Sequence, residues 1–198
     1  MKDKLNIAIL GAGNIGTAIA SGLAKAGTVS ADRITLTRRK THLLDDMKAQ
    51  GFAVCADNKE AIAKSNVVIV AVEPQQLDEL MTEIGSELKA GHHILVSVVS
   101  GVDLAQLRQW VGGDIECVRA MPNTAPAVGE SMTCLASEKN DGGGVAAARQ
   151  IFDSVGRTLV IDEELMGAAT ALGACGVAFF LRAIRAASQG GIEIGFHS

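Results

Sequence analysis

Aromatic residues are scarce: the 198 residues include no tyrosine, one tryptophan and five phenylalanines. Few rings are therefore present on which nucleobases could stack. An excess of positive charge is also missing. Eighteen lysines and arginines face 22 aspartates and glutamates, and the net charge of −4 gives no electrostatic reason to expect a nucleic-acid partner. The four cysteines, Cys55, Cys117, Cys134 and Cys175, form no C-x-x-C pair and read as reduced thiols of a cytoplasmic protein. No spacing of His, Cys and acids suggests a metal site. The apolar run that follows Met1-Lys2-Asp3-Lys4 is too short for a secretory signal core. Charge is absent altogether from residues 165–181. That stretch falls short of the ~20 apolar residues that span a bilayer and is diluted with Gly and Ala, so it is expected to be a helix buried against protein, with no membrane involved.

What is present is an apolar content of 48%, enough for a real core, arranged as a regular alternation. Residues 5–10 (LNIAIL) form a short apolar run ending at glycine, as a buried parallel strand does. Residues 14–26 follow with helical periodicity, Ile15, Ile19 and Leu23 sharing a face, and Gly27 stands where a C-terminal glycine belongs. Strands are expected at 33–37, 52–55, 67–72, 94–99 and 115–120. Helices are expected at 41–50 (capped by Thr41), 58–64 (opened by Asn58), 74–88 (Pro74 in the first turn) and 103–111 (capped by Asp103). This order predicts an α/β fold with a doubly wound, mostly parallel, Rossmann-type sheet. Beyond Met121 the pattern loosens into a strand at 131–136, a helix at 145–152 and a strand at 157–161. An Ala- and Gly-rich helical stretch from Glu163 then begins a second, all-helical unit. The expected division is 1–161 and 162–198.

The segment Gly11-Ala12-Gly13-Asn14-Ile15-Gly16 fits G-x-G-x-x-G. Such a triplet often serves only as a turn, but here it leaves a strand and opens a helix, the context that dinucleotide binding requires. Gly11 allows the tight turn, Gly13 leaves room for a pyrophosphate, and Gly16 lets helix and strand approach. The helix N-terminus offers free N–H groups to the phosphates. After the second strand comes Thr37-Arg38-Arg39-Lys40, with no carboxylate until Asp45. An adenosine 2′-hydroxyl calls for Asp or Glu at this place, whereas a 2′-phosphate calls for cations and hydroxyls. NADP(H) is therefore expected, with NAD(H) as the alternative.

Four longer segments, IAILGAGNIGTAIASGL at 7–23, AVEPQ at 71–75, RAMPNTAPAVGESMT at 119–133 and DEELMGAATAL at 162–172, resemble the pyrroline-5-carboxylate reductases, enzymes of proline biosynthesis. The last two are the specific ones. The resemblance implies an oxidoreductase that uses NAD(P)H to reduce the C=N bond of 1-pyrroline-5-carboxylate to L-proline. It also implies a helical dimerisation domain that forms a homodimer or an oligomer of dimers. By position, Gly11, Asn14, Ile15 and Gly16 would lie along the pyrophosphate. Thr37, Arg38 and Arg39 would surround the adenosine ribose, with Asn58 nearby. Ala71, Val72 and Pro74 would line the nicotinamide side, while Val99, Met121, Pro122 and Asn123 would border nicotinamide and substrate.

The chain departs from the family in three places. Glu73 replaces a usual lysine, and residues 173–179 (GACGVAF) replace a stretch usually reading SGSGPAY. The family's Gly-Gly-Thr-Thr-type segment for the substrate carboxylate falls beyond residue 198, so the chain is expected to be C-terminally truncated, with little reductase activity. No catalytic acid or base stands out. His42, His92, His93 and His197 are expected at the surface. Two other functions remain: a non-catalytic NADP-binding module, and a β-hydroxyacid dehydrogenase. The second is disfavoured because such enzymes carry a catalytic lysine after the Rossmann domain, and no lysine follows Lys139.

Overall fold

The structure, a computed structural model, describes residues 5–112 and 114–197. The first strand, β1 (Ile7–Leu10), leads to helix α1 (Asn14–Lys25), and the alternation continues through β2 (Ile34–Thr37), α2 (Asp45–Ala49), β3 (Ala53–Cys55) and α3 (Asn58–Ala63). The second half-sheet holds β4 (Val67–Val70), α4 (Leu77–Ile84), β5 (Ile94–Ser97), α5 (Leu104–Trp110) and β6 (Glu116–Met121). Two more strands, β7 (Ser131–Ser137) and β8 (Gly156–Val160), flank α6 (Gly143–Phe152). The sheet order is β3-β2-β1-β4-β5-β6-β7-β8. Neighbours from β3 to β6 are parallel, β7 runs antiparallel to β6, and β8 is parallel to β7. This is the doubly wound arrangement the alternation predicts.

Strands buried on both faces need apolar residues at every position, and β1 and β4 have them. Successive side chains then divide between two cores. Ile7, Ile9, Val67 and Ile69 join Ile19 and Leu23 of α1 and Ile151 and Phe152 of α6 on one face. Ala8, Leu10, Val68 and Val70 join Ile62 of α3, Leu77 and Met81 of α4 and Leu107 of α5 on the other. Gly22 fixes how closely α1 can be crossed. A Cβ there would collide with the Pro126 carbonyl oxygen and lie 2.8 Å from Val155 Cγ1.

Helix ends differ in detail from the sequence expectation. The 41–50 segment begins as a 3-10 turn, Thr41–Leu44, that no side chain caps. The cap of α3 is Asp57, whose carboxylate accepts from the amides of Lys59 and Glu60, so Asn58 is left free for another role. Asp103 caps α5 as expected, in a reciprocal box with Gln106. Of the histidines expected at the surface, His93 is instead buried, its Nδ1 accepting from the Lys89 amide at 2.8 Å. That bond closes the turn from Lys89 to His93 between α4 and β5.

After β8 the chain forms one continuous helix, Glu163–Glu193. It contains α7 (Met166–Ala169), a π-helical turn at Thr170–Cys175 and α8 (Gly176–Glu193). Its root is fastened to the sheet. Glu163 Oε1 accepts from Arg119 Nη1 at 3.0 Å and from the Leu104 amide at 2.6 Å, and Met166 packs against Met121 and Ala136. Beyond that root the expectation of burial against protein is not met within the chain. Leu172, Phe179, Phe180, Leu181 and Ile184 are exposed, and beyond Gly176 no described residue of the helix is buried. By length and composition it could cross a membrane, but Arg182 and Arg185 interrupt its exposed surface.

Candidate cofactor site

In a doubly wound sheet the ligand crevice opens at the carboxyl ends of the strands where the chain order reverses. Here that point lies between β1 and β4, and a cleft of about 670 Å³ opens there. The glycine loop crosses its floor. Gly11 has φ +81°, and a Cβ on it would collide with Val72, so glycine is required by both conformation and space. Gly16 stands under Ile9, where an added Cβ would come within 3.0 Å of Ile9 Cγ2. Gly13 is different: the nearest heavy atom to a Cβ there would be the Gly11 carbonyl oxygen at 3.9 Å. Its missing side chain answers to nothing in the protein and leaves the cleft floor bare.

Three loop amides are used internally. Gly11 N donates to Thr37 Oγ1 at 3.4 Å, Ala12 N to the Thr37 carbonyl at 2.8 Å and Gly13 N to the Gly11 carbonyl at 2.7 Å. The first helical bond of α1 is donated by Thr17 N to the Gly13 carbonyl at 2.9 Å. The amides of Asn14, Ile15 and Gly16 therefore belong to the unsatisfied first turn of the helix, at the positive end of its dipole. That donor set suits a diphosphate.

The walls carry opposite charges. Arg38, Arg39 and Lys40, after β2, line one side, and Glu73, Glu79 and Glu83, from the segment after β4 and from α4, line the other. No carboxylate stands at the end of β2. Thr37 is buried, and its hydroxyl donates to Asn58 Oδ1 at 2.6 Å. Asn58 Nδ2 in turn donates to both carboxylate oxygens of Glu83, at 3.3 and 3.2 Å.

Of the residues singled out in the sequence, Gly11, Gly13, Thr37, Arg38, Arg39, Asn58, Ala71 and Val72 meet in this cleft. Asn14, Ile15 and Gly16 lie just beyond it on the first turn of α1, and Pro74 follows Glu73 of its rim. Val99, Met121, Pro122 and Asn123 lie outside it, buried at and beyond the carboxyl ends of β5 and β6. There Asn123 Oδ1 accepts from the Ala125 amide at 3.0 Å, the bond to the backbone two residues on that asparagine makes in turns. Lys40, Leu43, Gln76, Glu79, Leu80 and Glu83 also line the cleft. Lys40 continues a visible basic run, whereas the α4 residues carry no sequence signal as ligands. Among the described residues no cluster of His, Cys, Asp and Glu could hold a metal ion.

Comparison with known proteins agrees with this geometry. Residues 6–101 match the family model described as NADP oxidoreductase coenzyme F420-dependent. Pyrroline-5-carboxylate reductase 1 of Dictyostelium discoideum is 42% identical over 97% of this chain, which spans only 37% of that relative's length. Pyrroline-5-carboxylate reductase 2 of the same organism is 39% identical, and here the match takes in all of this chain and 71% of the relative. Among solved structures, Plasmodium falciparum pyrroline carboxylate reductase with NADP bound superposes with a TM-score of 0.87 at 25% identity. The overlap covers 98% of this chain and 72% of that one.

Proposed function

The chain belongs to the pyrroline-5-carboxylate reductase family, and we propose that it binds NADP(H) and serves the reduction of 1-pyrroline-5-carboxylate to L-proline in the cytoplasm. The observation that carries this reading is the cleft at the β1–β4 switch point. It joins a bare glycine floor to a rim of Arg38, Arg39 and Lys40, and the first-turn amides of α1 stand just beyond it. A dinucleotide phosphate fits the amides, and a ribose 2′-phosphate fits the guanidinium pair, which can bind it bidentately.

When bound, the cofactor supplies the hydride. The task of the chain is to hold and orient it. Gly11 and Gly16 let the loop pass close to β1 and β4, and the amides of Asn14, Ile15 and Gly16 neutralise the diphosphate. Ala71, Val72 and Pro74 would line the nicotinamide side, and Val99 with the Met121-Pro122-Asn123 segment would border nicotinamide and substrate. A protonated imine accepts hydride without a strong side-chain acid, so no catalytic acid is assigned. The absence of lysine after Lys139 weighs against a β-hydroxyacid dehydrogenase. The exposed apolar face of α8 is read as the contact with a second copy of the chain. A homodimer or an oligomer of dimers by light scattering is expected, and a clean monomer would count against it.

Titration with NADPH and NADH tests the central point. Replacing Arg38 and Arg39 with alanine should weaken NADPH far more than NADH, and equal losses would overturn the NADP assignment. NADPH consumption with 1-pyrroline-5-carboxylate tests the reaction. Coenzyme binding without proline formation would leave the chain a dinucleotide-binding module.

A further inference from the structure

Four residues, Gly11, Thr37, Asn58 and Glu83, are linked by hydrogen bonds that run in one direction along the cofactor cleft, and the series ends on a residue that no phosphate or ribose contact requires. We propose that Glu83 is a positioning residue that sets the glycine loop for the dinucleotide through Asn58 and Thr37. The inference rests on the cleft being a dinucleotide site.

A carboxamide can face two ways, and its neighbours decide which. An ionised carboxylate only accepts, so Glu83 holds the NH₂ group of Asn58 toward itself. The Asn58 carbonyl oxygen must then face Thr37, 2.6 Å away. An amide oxygen only accepts, so the Thr37 hydroxyl gives its proton to Asn58. A lone pair of Thr37 Oγ1 is left to receive the Gly11 amide at 3.4 Å. Each group polarises the next in the same sense. Gly11 is the residue with φ +81° at the start of the loop, so the acid on α4 governs the turn that presents the helix amides. Because the Thr37 proton is committed, it cannot be donated to a ribose phosphate, and the selectivity for that phosphate falls to Arg38, Arg39 and Lys40.

The sign of the effect separates this role from simple electrostatics. Removing a negative charge from the cleft wall should strengthen the binding of an anionic coenzyme if charge alone matters. The relay predicts the reverse for a variant that cannot accept a hydrogen bond. In the full chain, Glu83→Leu is expected to weaken NADPH about three- to tenfold, the scale of one lost hydrogen bond. It should also speed hydrogen exchange of the Gly11 amide in the ligand-free protein. Glu83→Gln keeps an acceptor and should bind NADPH at least as well as the parent. In a Thr37→Val background the relay is already cut, so Glu83→Leu should add no further loss. The proposal is overturned if Glu83→Leu binds as tightly as the parent or more tightly. It is also overturned if its loss persists undiminished beside Thr37→Val. Should the parent bind neither coenzyme, the function reading fails, and the Gly11 exchange rates of the same variants still decide the relay.

Discussion

Gly13→Ala isolates the ligand from the fold. Gly13 sits at φ −90° and ψ −154°, in the extended region open to any residue, as the N-cap of α1. An alanine methyl would meet nothing closer than the Gly11 oxygen at 3.9 Å, an ordinary van der Waals contact. Two small terms then oppose each other. Restricting the unfolded chain stabilises by about 0.4–1 kcal/mol, and alanine is a poorer N-cap than glycine by about 0.5–1 kcal/mol. Their sum is within about 1 kcal/mol of zero. At roughly 2–4 °C per kcal/mol for a chain of this size, Tm should stay within about 4 °C of the parent. The same methyl would occupy the cleft floor where the phosphates pass, and NADPH affinity should fall by at least about tenfold, or 1.4 kcal/mol. Gly22→Ala is the mirror case. It touches no part of the cleft but collides with Pro126 and Val155, an overpacking worth about 1–3 kcal/mol. Its Tm should drop while NADPH binding at low temperature is retained. Differential scanning fluorimetry paired with calorimetric titration reads both quantities. If Gly13→Ala kept both its Tm and its NADPH affinity, the diphosphate would not cross Gly13 and the placement of the cofactor would be wrong.

Other consequences follow from single side chains. Burial, with His92 alongside, holds the His93 imidazole below its ordinary pKa. The unfolded chain therefore takes up a proton near about pH 6.5 while the folded chain does not. Stability should be full above that value, decline as pH falls toward the folded pKa, and then level off. Urea denaturation across this range should show the decline, and His93→Asn should flatten it; an unchanged slope would assign the effect to other groups. Glu73→Lys replaces an acid on the cleft rim with a cation and should tighten NADPH by roughly three- to tenfold at low salt, with the gain shrinking as salt is added. A salt-independent gain would not be electrostatic. Glu163→Ala strips Arg119, whose side chain is only 10% exposed, of its partner and leaves the Leu104 amide without its acceptor. A loss of about 2–4 kcal/mol in chemical denaturation is expected, less than for a fully buried pair because Glu163 is partly solvated. Glu163→Gln, which still accepts from Leu104, should lose less.

Much of the fold was legible because its signals are local. A run such as VVIV at β4, short and wholly β-branched, reads as a strand covered on both faces. The turn from LNIAIL into Gly11 and then Asn14 states in one segment that a strand ends and a helix begins. The floor of the site was legible for the same reason, as was its basic rim, since Arg38, Arg39 and Lys40 follow the end of β2 directly. Asn58 was placed near the ribose only by resemblance. Read locally it opens a helix, and it is indeed the first residue of α3; the cap is Asp57, which leaves the Asn58 side chain for Thr37 and Glu83.

The acidic wall could not be read in this way, because it is a product of topology. Its α4 members, Glu79 and Glu83, look like the solvent side of an amphipathic helix whose apolar side, Leu77, Leu80, Met81 and Ile84, is unmistakable. The crossover from β4 to β5 lays α4 on the same sheet face as α3, and only that placement brings Glu83 to Asn58, 25 residues away in sequence. The long terminal helix poses the converse problem. Its apolar residues announce burial, yet among the described residues it is its root, through Glu163 and Met166, that is held against the sheet, while Phe179, Phe180, Leu181 and Ile184 stay exposed. Hydrophobic pattern states that a face is to be buried and says nothing of which surface buries it. For the helices around the sheet the neighbouring strand answers that question. For α8 the answer has to come from a surface outside the fold described here, which is why the oligomeric state, more than any single residue of this helix, is the measurement that fixes its role.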